Sequence, residues 1–111
     1  MTALVRAAGP GDPPLLVDDL ATWLTGVLDA GTWERAEVPP EVAERAAALV
    51  DAVAGCAGYV VLVSAEVGLG VVPQTRAGRL FRDELGALNA ALAAVCDEVL
   101  LLVAGLPLRL K

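Results

Sequence analysis

The sequence predicts an α/β domain built on a parallel sheet. Three short apolar runs, residues 15–19, 59–63 and 98–104, have the length and composition of strands buried on both faces. The segments between them repeat their apolar residues with helical spacing. Strands that alternate with helices pair in parallel through crossovers, and this order sets the fold class.

Each element follows from local chemistry. Glycine, proline and aspartate crowd residues 9–14 and predict a turn, after which LLVDD reads as the first strand. Leu20, Trp23, Leu24, Val27 and Leu28 recur at helical intervals and predict a helix over 20–28, with a loop over 29–38. Pro39 and Pro40 can open the next helix, because a first turn leaves its N–H groups unbonded anyway. Val42, Ala46, Leu49 and Val53 form its apolar stripe, and the glycines at 55 and 58 end it. A second strand at 59–63 leads into a glycine-containing loop at 64–73. A long helix over 74–95 then carries Ala77, Phe81, Leu85, Leu88, Leu92 and Val95 on its core side. The third strand, EVLLLVA, precedes a turn at 105–107 that leads to the basic end. Three parallel strands make a thin sheet whose faces need covering and whose edges invite pairing. Completion by an absent segment or by another subunit is expected.

Composition narrows the function. At 111 residues the chain is one domain, 1–111, and alanine, leucine and valine fill 56 of its positions. Apolar content of 57% excludes intrinsic disorder, and so much of it predicts that some faces a partner. The net charge of -6 argues against nucleic acid and against anionic membrane. Histidine is absent, so this chain holds no histidine base, metal ligand or Ser-His-Asp triad. Cys56 and Cys96 lie 40 residues apart without CxxC spacing, which fits two small hydrophobes in a reducing compartment. Three aspartates and three prolines within the first 20 residues break any signal-peptide core. Residues 46–65 have the length of a membrane span, but Gly55 and Gly58 divide them into helix, turn and strand. A cytoplasmic protein is expected.

Three places could carry chemistry. Asp18 ends the first strand, where ligands gather in open α/β sheets. An apolar-type run followed by aspartate, here Pro14-Leu15-Leu16-Val17-Asp18, is also the pattern that holds nucleotide-bound Mg²⁺. Helix capping is the competing role for an acid here, and Asp19 can take it while Asp18 stays free. The 64–73 loop contains Glu66, Gly68 and Gly70 at the same sheet edge, but lacks both GxGxxG and GK[ST]. On the long helix Arg82, Gly86 and Asn89 share a face. Arg82 has the chemistry to hold a phosphate bidentately, whereas Arg76 and Arg79 read as a solvated face. Gly86 costs a helix about 1 kcal/mol relative to alanine, which suggests that it permits a close contact.

The blocks LLVDDLATWLTGVL (15–28), VVLVSAEVGLGVVP (60–73), GRLFRDELGALNAALA (78–93) and EVLLLVAGLPLRLK (98–111) occur together and in this order. In this the chain resembles the carboxyl-terminal two-thirds of the adenosylcobinamide kinase / adenosylcobinamide-phosphate guanylyltransferase family of cobalamin synthesis, from about residue 15 onward. The resemblance implies a RecA-like P-loop fold, present here as an incomplete sheet of about three strands. It implies an enzyme that phosphorylates adenosylcobinamide with a nucleoside triphosphate, GTP or ATP with Mg²⁺. That enzyme then moves GMP from GTP onto the new phosphate through a GMP-histidine intermediate. Asp18 aligns with the family's acidic residue that contacts guanine nucleotide, and so becomes the candidate nucleotide and metal ligand. Glu66 and Arg82 follow as nucleotide-binding candidates within family blocks. The family forms trimers with sites near subunit boundaries, so a homo-oligomer is expected.

The departures from the family are as informative. Nothing upstream of Leu15 supplies the family's first strand and GxxxxGK[ST] loop, and no histidine is present to accept GMP. Asp19 stands where cysteine is common, Gly26 where asparagine is, and Ala65 and Ala90 where asparagine and glutamine are. Without a phosphate cradle no preorganised charge stabilises phosphoryl transfer. The chain alone is therefore expected to be inactive, with no catalytic residue of its own and a partner chain supplying the P-loop. An expressed fragment, a split-gene product and a degenerate paralogue all fit the sequence. A non-catalytic assembly or regulatory subunit derived from the family is the rival reading.

Overall fold

A computed structural model describes residues 1–28 and 38–111 of the chain. The elements run α1 (Thr2–Ala7), β1 (Leu15–Asp18), α2 (Leu20–Leu28), α3 (Pro40–Ala54), β2 (Val60–Val63), α4 (Arg76–Val95), β3 (Leu100–Val103) and β4 (Leu106–Arg109). The mixed α/β class agrees with the sequence reading, and a small parallel sheet flanked by helices is consistent with an incomplete RecA-like fold. The loop expected over 29–38 lies, apart from Val38, outside the described residues.

The helices form where periodicity places them. Leu20, Leu24 and Leu28 of α2, Val42 and Leu49 of α3, and Leu85, Leu88 and Leu92 of α4 converge in one buried cluster. Val17 and Leu62 pack on it from the inner face of the sheet. Thr75 starts α4, its hydroxyl accepting a 3.0 Å hydrogen bond from the Gly78 amide. α1 was not expected: six residues with Leu4 and Val5 as their only leucine or valine give little periodic signal, and packing on α3 accounts for it. The turn expected after it forms, with the Asp12 carboxylate accepting from the Gly9 amide at 2.8 Å.

The sheet differs from expectation in two respects. β1 and β2 pair in parallel, in the register Leu15↔Val60 to Asp18↔Val63, but β3 does not extend that sheet. Instead it folds back on β4 as an antiparallel hairpin, Leu100↔Arg109 to Val103↔Leu106. Ala104 and Gly105 both have positive φ (51° and 75°), which matches a two-residue turn of the primed type to the strand twist. The second difference concerns burial. β1 and β2 alternate half-buried and exposed residues, with Leu16 67% exposed and Val61 and Val63 also open, so only one face is covered by the described residues. The hairpin is barer still: Leu100, Leu102, Val103, Leu106 and Leu108 are all exposed. It is tied to α4 by Lys111, whose ammonium donates to the carbonyls of Ala93 and Ala94 at 3.0 Å each. The chain exposes 7202 Å², about a quarter more than the ~5,700 Å² expected of a folded monomer of this mass.

Candidate functional site

The carboxyl ends of β1 and β2 form one edge, because Asp18 and Val63 are register partners. That edge is where an open α/β sheet presents ligands. Two aspartates meet it in different ways. Asp19 caps α2: its carboxylate accepts a 2.8 Å hydrogen bond from the Thr22 amide, and that bond holds its pKa below the ordinary 3.8. Asp18 is exposed at the strand end, and its carboxylate receives no hydrogen bond from another described residue. The peptide bond joining the two is cis. One acid therefore performs the local structural task and leaves its neighbour available.

Beyond Val63 the chain enters the 64–73 loop, which is organised by its own side chains. The Glu66 carboxylate accepts from the Gly68 amide at 2.6 Å, and this closes a short turn. One of its oxygens is thus committed within the loop. At the far end Arg79 donates from one guanidinium nitrogen to the carbonyls of Pro73 (3.3 Å) and Gln74 (2.9 Å). Arg79, read from sequence as part of a solvated face, is an anchor for this loop. Val67 packs against the core, while Leu69, Val71 and Val72 project outward, Val71 being 94% exposed.

Arg82 is half-buried on α4 and makes no hydrogen bond to a described residue. It precedes Asn89 by seven residues, roughly 10 Å along the helix. Asn89 uses both ends of its amide at the sheet edge: Nδ2 donates to the Ala65 carbonyl at 2.9 Å, and Oδ1 accepts from the Ser64 hydroxyl at 2.6 Å. Spacing put Asn89 on the Arg82 face but gave no hint of its partners, because a polar residue two turns further along a helix carries no mark of what it touches. The structure brings Asp18 and Glu66 to one edge. Arg82 stands two helical turns from the clamp, and no hydrogen bond joins the three candidates. Among the described residues the close contact expected at Gly86 is not seen: a methyl there meets none of them within 4 Å.

Among the described residues, metal and cavity chemistry are limited. Among the described residues no group of three or more His, Cys, Asp or Glu could enclose an ion. Asp18 alone offers one free carboxylate, which suits Mg²⁺ that arrives on a nucleotide, since that ion takes its other ligands from phosphate and water. A cavity of about 310 Å³ between α3 and α4 is lined by Ala46, Val50, Asp51, Glu84, Leu88 and Ala91 among others, and by none of Asp18, Glu66 or Arg82. It is apolar with an acidic rim, the wrong chemistry for phosphate. Cys56 and Cys96 are free and half-buried, and burial pushes the Cys96 thiol up. No helix among the described residues is long and apolar enough to cross a membrane.

Comparison with known proteins gives this edge a context. Residues 1–110 match the family described as cobinamide kinase / cobinamide phosphate guanyltransferase. The bifunctional adenosylcobalamin biosynthesis protein CobU of Salmonella typhimurium is 34% identical over 118 residues, covering 100% of this chain and 65% of its own length. CobP of Pseudomonas aeruginosa, also described as a bifunctional adenosylcobalamin biosynthesis protein, is 38% identical over 111 residues, with 61% of its length covered. CobU of Escherichia coli is 34% identical over 104 residues, 87% of this chain and 58% of its own. The chain thus spans less than two thirds of these curated relatives. A match along nearly every residue leaves one assignment: this chain belongs to the cobinamide kinase / cobinamide phosphate guanyltransferase family.

Proposed function

We propose that the chain supplies the nucleotide-facing sheet edge of a two-reaction enzyme of cobalamin biosynthesis. The observation that carries this reading is the family match over residues 1–110, together with a free carboxylate at the carboxyl end of a parallel strand. In the first reaction a hydroxyl of adenosylcobinamide takes the γ-phosphoryl group of a nucleoside triphosphate, and the nucleoside diphosphate leaves. In the second, GMP from GTP passes by way of a histidine to the new phosphate, and pyrophosphate leaves. Both steps build negative charge on phosphoryl oxygens, so cations and donors must be positioned beforehand.

Asp18 would hold the Mg²⁺ of the nucleotide, which neutralises phosphate charge when bound. Its exposure, and the lack of a side-chain partner among the described residues, suit it to that task. Arg82 offers a guanidinium to a phosphate, and Glu66 shapes the loop that borders the edge through its bond to Gly68. The phosphate loop and the GMP-accepting histidine have no counterpart in this sequence. In this reading another segment or a partner chain provides them, and the chain alone turns over nothing. The open edge of β2 and the bare hairpin give such a segment, or further copies of the chain in a homo-oligomer, surface on which to add. The cytoplasm, where the nucleotides and reduced cysteines are found, is the matching compartment.

Titration of the chain with GTP and Mg²⁺ tests the reading. Binding is expected in the wild type, and Asp18→Asn should weaken it by about tenfold or more, as loss of a charged contact does. Equal affinities in the two proteins would refute the role of Asp18. No binding, combined with a stable oligomer by native mass spectrometry, would favour a non-catalytic assembly or regulatory subunit that has kept the interface and lost the chemistry.

A further inference from the structure

We infer that Asn89 is a positioning residue that fixes the Glu66 turn against α4 and thereby sets the shape of the nucleotide edge; the inference rests on the function proposed above. The two hydrogen bonds of Asn89 bridge 24 and 25 residues of sequence. Apart from the two bonds of Lys111, every other side-chain bond among the described residues stays within six residues. Among the described residues Asn89 is therefore the one side chain that ties this loop to a helix turn distant in sequence by hydrogen bonds. It does so at Ser64 and Ala65, immediately before Glu66. The Glu66 carboxylate then closes on Gly68, so the clamp and the turn form one continuous run of bonds from α4 to the loop.

The two halves of the clamp are chemically distinct. Ser64 needs only an acceptor, which an aspartate at position 89 would still supply. The Ala65 carbonyl needs a donor, which only the amide nitrogen provides. The backbone bond is the one that directs the chain into the Glu66 turn. Asn89→Asp, nearly identical in shape, removes that donor and places a carboxylate oxygen beside the carbonyl.

The test compares Asn89→Asp, Asn89→Ala and Ser64→Ala with the wild-type chain, reading amide exchange at Gly68 and affinity for GTP with Mg²⁺. Both Asn89 variants should speed Gly68 exchange and weaken GTP binding by about fivefold, the effect of one net hydrogen bond. Ser64→Ala, which leaves the Ala65 bond intact, should do neither. A merely structural asparagine would lower the melting temperature without moving the affinity, and that pattern would overturn the inference. So would Asn89→Asp that behaves as wild type. A wild-type chain that leaves GTP unbound would refute the nucleotide reading, while unchanged Gly68 exchange in the variants would refute the clamp independently.

Discussion

The bare hairpin makes a quantitative prediction about where this chain stores its stability. Leu85 is 0% exposed and sits among the leucines of α2, α3 and α4, whereas Leu102 on β3 is 68% exposed. Truncating a fully buried leucine to alanine costs the lost transfer energy plus a cavity, about 3 kcal/mol. Unfolding entropy near 2.1 cal/mol/K per residue gives ~0.23 kcal/mol/K for a chain of this length, so Leu85→Ala should lower the melting temperature by about 13 °C. Leu102 has only a third of its surface to lose, and its truncation should cost under ~1 kcal/mol, or about 4 °C. Thermal melts followed by circular dichroism at 222 nm would measure both. The melts should be repeated with the part of the Pseudomonas aeruginosa relative that this chain does not cover added as a separate polypeptide. With that segment bound, Leu102→Ala should become costly. If Leu102→Ala matches Leu85→Ala in the chain alone, the hairpin is already buried and the case for an added segment fails.

Other outcomes are as direct. Asp19→Ala should destabilise α2 while Asp19→Asn, which still caps, should not. Because folding lowers the Asp19 pKa below 3.8, its contribution is present above that pH and lost as pH falls through the folded value; melts from pH 6 down to pH 2 should show this in the wild type and a flatter profile in Asp19→Asn. Gly86→Ala should stabilise the chain by about 1 kcal/mol, since alanine is the better helix former and its methyl meets no described residue within 4 Å. Gly78→Ala, measured in the same urea titration, should destabilise it, because the new methyl would lie 2.9 Å from Pro73 Cβ and Thr75 Oγ1.

Local order was legible in the sequence wherever one physical rule governed it. Apolar spacing located α2, α3 and α4 to within two residues, because a helix that must bury one face writes its period into the chain. Asp19 could be read as the cap and Asp18 as the spare acid from their positions alone, and the four sequence blocks named the family. Partnership was decided only in three dimensions. β3 has the same apolar composition whether it joins a parallel sheet or folds into a hairpin. What settles it is the positive φ of Ala104 and Gly105 and the register to β4, neither of which LVAGLP announces. The clamp of Asn89 on Ser64 and Ala65 and the bonds of Lys111 to Ala93 and Ala94 are likewise contacts between segments distant in the chain. Periodicity and capping depend on neighbours a few residues apart, so one chain records them in full. Which distant surfaces meet, and which remain bare, depends on packing all of the segments at once.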